Sequence, residues 1–129
     1  MIDAYLVENN RLELDVLTAL LGETGGIRIA GSTIHADAAI QEARRLQPQA
    51  LFINPRLTGV SGMDLAVSIR RCCPDIHIIY ITPFKEHALL AYEQQAFDYI
   101  LKPLAPERVK RTVQRLVQSC TKEADTEPV

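Results

Sequence analysis

Five side chains that could do chemistry share one setting, at the end of a short apolar run and just ahead of a turn. Glu8 and Asn9 follow Ala4-Tyr5-Leu6-Val7, Asn54 closes Ala50-Leu51-Phe52-Ile53, Thr82 follows the run from Ile76 to Ile81, and Lys102 follows Phe97 to Leu101. A hydroxyl with an ammonium can hold an anion, and a carboxylate can hold a cation. Covalent chemistry would need a nucleophile among them. Asn54, on the central run, is an amide and has no nucleophilic oxygen anion.

These residues meet only if the runs lie side by side. Each run is short, apolar and bounded by turn residues, as buried parallel strands are. Between them come helical patterns. Leu12, Val16, Leu17, Leu20 and Leu21 form a stripe, and Gly25-Gly26 ends that unit before the alternating strand Ile27–Gly31. An Ala-rich helix spans Ala36 to Leu46, and Gln47-Pro48 closes it. Gly59, Ser61 and Gly62 read as a loop, followed by a helix with Met63, Leu65, Ala66 and Ile69 on its apolar face. Pro74 ends that helix. A polar helix covers Lys85 to Gln95. The last helix opens at Pro106-Glu107 and carries Val109, Val113, Leu116 and Val117. Residues 1–119 read as one domain and residues 120–129 as a disordered tail or the start of a linker. Strict strand–helix alternation implies a parallel sheet with helices on both faces, and ligands then sit at the carboxyl ends of the strands.

Composition narrows the classes. The chain is 47% hydrophobic and 23% charged, with a formal net charge of −2. Its basic residues form no stripe, which argues against direct nucleic-acid binding by this domain. No apolar run reaches the ~18 residues of a membrane span, and the first ten residues do not resemble a secretion signal. The three cysteines, a vicinal pair Cys72-Cys73 and Cys120, make no disulfide framework, so a cytoplasmic location is expected. No phosphate loop, dinucleotide fingerprint or zinc spacing is present, and His35, His77 and His87 are isolated in sequence.

The order LVENN, LFINPRLTGVSGMDLA, YIT, AFDYILKPLAPERV resembles the receiver domain of bacterial two-component response regulators, over residues 2 to about 118. The resemblance implies an α/β flavodoxin-like (βα)5 fold, a three-layer, doubly wound parallel sheet with strand order 2-1-3-4-5. Typical receivers hold Mg²⁺ with two acids and an acceptor aspartate, and they bind the phosphoryl oxygens with threonine and lysine. Carried over here, Glu8 matches the first acid, Asn9 the second and Asn54 the acceptor. Thr82 and Lys102 match the phosphate-binding pair, Tyr99 the switch aromatic, and Arg56 the residue that offers a backbone carbonyl to the metal. Thr58 and Pro83 also depart from the family's pattern.

The expectation is therefore an atypical, phosphorylation-independent receiver, a signalling module and not an enzyme. Glu8 and Lys102 would cancel as an internal ion pair, with Mg²⁺ binding weak or absent and no other cofactor. The resemblance places a homodimer surface on the fourth helix, fifth strand and fifth helix, with Lys85, Glu86, Tyr92, Arg108, Arg111 and Arg115 as interface residues. A histidine kinase or another regulatory protein would be a partner. DNA would be reached only through an output domain beyond Val129. Two alternatives remain: a small-ligand sensor holding its ligand on Thr82 and Lys102, and a conventional phosphorelay receiver with an unusual acceptor such as Glu8.

Overall fold

The computed structural model describes residues 1–125. Its main sheet contains β1 (Ile2–Val7), β2 (Ile27–Thr33), β3 (Ala50–Ile53), β6 (His77–Thr82) and β7 (Asp98–Leu101). All pairs are parallel and the order is β2-β1-β3-β6-β7. In chain order this is the 2-1-3-4-5 arrangement expected from the sequence. The helices are α1 (Arg11–Glu23), α2 (Ala36–Leu46), α3 (Gly62–Cys72), α4 (His87–Glu93) and α5 (Pro106–Asp125).

Alternation along each strand divides the core into two layers. Ala4, Leu6, Ala50, Phe52, Ile79 and Ile81 face α1 and α5, where Leu14, Leu17, Leu21, Val109, Val113 and Leu116 meet them. Tyr5, Val7, Leu51, Ile53, Ile78 and Tyr80 face the other way, toward Ala39, Ala43, Leu65, Ala66, Ile69 and Ala91. Both sheet faces are thus covered, which is why these strands read as unbroken apolar runs.

Four sequence expectations change. The buried stripe of α1 is Leu14, Leu17 and Leu21, while Leu12 and Val16 are exposed. Asn10 caps the helix by accepting the Glu13 N–H, and that start sets which side faces the sheet. The loop after Asn54 contains a small hairpin, β4 (Arg56–Leu57) antiparallel to β5 (Val60–Ser61), turning at Gly59 with φ of +81°. Helix α4 is shorter than the polar pattern, with Lys85 and Glu86 preceding it. Helix α5 continues through the first residues of the expected tail, as far as Asp125, because Lys, Glu and Ala are strong helix formers even without an apolar stripe. The rest of that tail, 126–129, lies outside the described residues. No helix of the described residues is long and apolar enough to cross a membrane.

Gly62 closes the hairpin against the strand that carries Asn54. Its N–H donates to Pro55 O at 2.9 Å, and a Cβ there would lie 2.0 Å from Asn54 O and 2.7 Å from Pro55 Cα. Only backbone stands in the way, so no side chain can yield. Gly62→Ala is expected to cost roughly 2–4 kcal/mol in urea denaturation. Gly22→Ala, where nothing lies within 4 Å, should instead be neutral or gain up to about 1 kcal/mol. Equal effects at the two positions would contradict the close approach.

Candidate functional site

The carboxyl ends of four strands bring the five residues together. Val7 pairs with Ile53, Ile53 with Tyr80, and Thr82 with Leu101, so Glu8, Asn54, Thr82 and Lys102 emerge at adjacent tips. Backbone bonds fix their heights. The Asn54 N–H reaches Val7 O at 3.2 Å and the Lys102 N–H reaches Thr82 O at 2.8 Å.

Glu8 is the centre of the cluster. It is 1% exposed, and a carboxylate so buried must be paired. Lys102 Nζ lies 2.8 Å from its Oε2, the internal ion pair expected from the sequence. Oε1 receives the Asn9 N–H and Asn54 Nδ2, each at 3.2 Å. Asn54 Oδ1 accepts the Arg56 N–H at 2.9 Å, so both ends of that amide are used. Asn9 performs a similar double role, donating from Nδ2 to Arg56 O at 2.6 Å and accepting the Thr58 N–H at Oδ1. The Arg56 carbonyl, assigned to a metal by resemblance, therefore receives an amide of the chain itself.

The expected charge balance needs correction. Lys102 Nζ also contacts Glu13 Oε1 at 2.9 Å, so two carboxylates and one ammonium leave −1 rather than zero. The reason is local: Asn10 and Glu13 form a box-like cap, Asn10 Oδ1 accepting the Glu13 N–H at 2.9 Å and its side-chain Nδ2 donating to Glu13 Oε2 at 3.0 Å. That box holds Glu13 in the first turn of α1, beside Lys102. The spacing Asn-x-x-Glu was the signal for it.

Thr82 is fully buried and its hydroxyl is engaged twice. It accepts the Phe84 N–H at 3.1 Å and lies 2.7 Å from His87 Nδ1. His87, isolated in sequence, is thus part of the site through the β6–α4 turn. Burial, then the nearby Arg56 charge, holds its imidazole below the ordinary 6.5. The Thr82 hydroxyl thus joins the Phe84 backbone to the His87 ring, either member of the last contact being able to donate according to the imidazole tautomer. Tyr99 is half-buried and donates its hydroxyl to Phe84 O at 3.1 Å.

The expected interface residues fall into two groups. Lys85, Glu86, Tyr92 and Arg111 are exposed, Tyr92 to 82%. Arg108 is turned inward: it grips Asp98 with both terminal nitrogens, at 2.8 and 3.1 Å, and reaches Thr112 and the Tyr99 carbonyl at 2.7 Å. Arg108 thus braces α5 against β7 while staying partly exposed, because a guanidinium fork matches a carboxylate in two-point contact. Burial would raise the Asp98 carboxyl, but Arg108, Thr112 and the Tyr99 N–H hold it below its ordinary 3.8. Arg115 is half committed, on Asp98 at 3.1 Å and over the Phe97 ring at 4.8 Å.

Known proteins share this architecture. The family model for the response regulator receiver domain matches residues 4–114. An uncharacterized response regulatory protein of Vibrio cholerae is 32% identical over 130 residues, covering 100% of this chain and 54% of that protein. Transcriptional regulatory protein BtsR of Escherichia coli K12 is 31% identical over 125 residues, or 95% of this chain and 51% of that protein. The chain therefore spans about half the length of the curated relatives it matches. Among solved structures, the response regulatory domain of protein mrkE from Klebsiella pneumoniae gives a TM-score of 0.85 at 28% identity, covering 94% of this chain and 99% of that one.

Removing Lys102 would leave Glu8 buried without its counter-charge. Lys102→Met is expected to lower stability by about 3–5 kcal/mol at neutral pH. Glu8→Gln made in that background should recover part of the loss. A cost below about 1 kcal/mol in chemical denaturation would show that the pair does not hold the site.

Proposed function

The chain belongs to the response regulator receiver domain family, and we propose that within it this is an atypical receiver that signals without taking a phosphoryl group. One observation carries the reading: the Asn54 amide donates to Glu8 Oε1 while Lys102 pairs with Glu8 Oε2. Phosphoryl transfer in the resembling site needs a carboxylate nucleophile and a metal held by oxygen ligands. Here the central position is an amide, and the oxygens that would face the metal accept hydrogen bonds from the chain. Such a donor set does not fit a hard divalent cation, so Mg²⁺ binding is weak and no acyl phosphate forms.

The alternatives meet groups that are already occupied. A small anion on Thr82 and Lys102 would have to displace His87 and two carboxylates. Glu8 as an acceptor would have to leave Lys102 and two N–H donors. Receiver domains are generally non-enzymatic modules, and this one acts as such, through contact with a second copy, a histidine kinase or another regulatory protein. The surface for a second copy is α4, β7 and α5, where Leu89, Leu90 and Tyr92 of α4 expose apolar area and Arg111 of α5 is exposed. Transcriptional control, as in relatives that carry that description, would run through an output segment outside this chain.

Two measurements test this reading. In two-dimensional amide NMR, the peaks of Asn54, Thr82, Tyr99 and Lys102 are expected to stay still on adding Mg²⁺ and then beryllofluoride, an acyl-phosphate mimic. A concerted, saturable shift would sink the phosphate-independent reading. In sedimentation equilibrium, Tyr92→Ala and Arg111→Glu should each weaken self-association about tenfold, ~1.4 kcal/mol. An unchanged association constant would remove α4 and α5 as the dimer surface.

A further inference from the structure

The vicinal cysteines lie far from the strand tips, at the end of α3, and the site described above does not use them. Cys72 is the last helical residue and Cys73 closes the helix, its N–H reaching Ile69 O at 2.9 Å. Pro74 follows and keeps the residue before it out of the helical region, with Cys73 at φ −135° and ψ 73°. That bend turns the two thiols toward each other, with Sγ atoms 3.8 Å apart. Cys72 is half-buried, whereas Cys73 is 3% exposed with its thiol 3.5 Å from the Ala43 carbonyl of α2.

Two further features bear on reactivity. The last turns of α2 and α3 carry Arg44, Arg45 and Arg71, all exposed. Burial pushes the Cys73 thiol up to about 11, opposed by the Arg44 charge. An open cleft of about 270 Å³, lined by Cys73, Pro74, Asp75 and Cys120 among others, borders the Cys73 side of the pair, while Cys72 is reached from the partly exposed helix end. The Cys72 carbonyl is held from α2 by Gln47 Nε2 at 3.1 Å.

We propose that Cys72 and Cys73 are an oxidisable dithiol that takes up an internal disulfide from a small-molecule disulfide. The reaction is two successive exchanges. Cys72, the accessible thiol, gives its proton to solvent and attacks one sulfur of the small disulfide. The S–S bond breaks, and the first small thiolate leaves and is protonated. Cys73 then loses its proton and attacks Cys72 Sγ, displacing the second small thiol. Two protein thiols are oxidised by two electrons and one small disulfide is reduced to two thiols. Adjacent Cα atoms lie only about 3.8 Å apart, below the usual span across a disulfide, so the ring is strained and readily reduced again. Closure draws Cys73 Sγ off the Ala43 carbonyl, which makes the seam between α2 and α3 the element that senses the change.

Trypsin reads the bond directly, because cleavage after Arg71 and Lys85 places Cys72 and Cys73 on one peptide and leaves Cys120 on another. The full chain is treated anaerobically with oxidised glutathione, quenched in acid and digested. The expected result is a loss of two hydrogens on the peptide from Cys72 to Lys85, reversed by dithiothreitol and absent in Cys72→Ser. Amide peaks of Ala43 and Gln47 should shift with it, while those of Glu8 and Asn54 stay in place. A peptide that stays reduced, keeps an unresolved glutathione adduct, or is bridged to the Cys120 peptide would overturn the proposal.

Discussion

The buried charge of Glu8 is the constraint on which the strand tips depend. Bringing a carboxylate out of water costs several kcal/mol, and its attraction to Lys102 at 2.8 Å is worth roughly 6 kcal/mol gross at an effective dielectric of about 20. The two terms are of one size, so the pair adds little net stability. Its effect is geometric. Every group within reach is drawn into supplying Glu8 with protons or positive charge: Lys102 from the loop after β7, the Asn54 side chain from β3 and the Asn9 backbone from the start of the first loop. Glu13 shares the ammonium and ties α1 to the same point. The first loop, the loop after β7 and the start of α1 are thereby held to one another by side chains.

Away from that centre, α4 is fixed by polar contacts more than by packing. Ala91 is its one buried residue among those described. His87 meets Thr82 at one end. At the other, Tyr80 donates to the Gln94 side chain and Arg70 reaches the Gln94 carbonyl at 2.7 Å. A helix tethered this way sits at the low-stability end of the molecule, since few apolar contacts must break to move it. Helix α5 contrasts with it: Val109, Val113 and Leu116 are buried against the sheet, and Arg108 locks onto Asp98.

Much of the fold was legible because the apolar runs of β1, β3 and β6 are buried on both faces and separated by helical stripes and proline or glycine punctuation. The Glu8–Lys102 pair was legible too, since both residues follow strand tips that the topology brings together. Other features were hidden for definite reasons. Glu13 enters through a helix cap, so its position depends on where α1 starts, and the same uncertainty put Leu12 and Val16 on the wrong side. His87 reaches Thr82 only because the intervening turn doubles back, which no periodicity encodes. Arg108 reads as a surface cation on a helix, yet Asp98 on the neighbouring strand claims it. The hairpin after Asn54 has too few residues to show an alternation.

The double use of the Asn54 amide sets what a substitution there would meet. A single nucleotide separates asparagine codons from aspartate codons, so the acid is one short mutational step away. The structure makes it a steep one. An aspartate at 54 would set a second carboxylate about 3 Å from Glu8, where like charges repel and Lys102, already shared with Glu13, would have to offset both. The Arg56 N–H would keep its acceptor, but Glu8 would lose a donor and gain a rival. Asn9, meanwhile, occupies the Arg56 carbonyl. A change at 54 would therefore act on Glu8, Asn9 and Arg56 together, because the bonds of one amide and its neighbour tie all three.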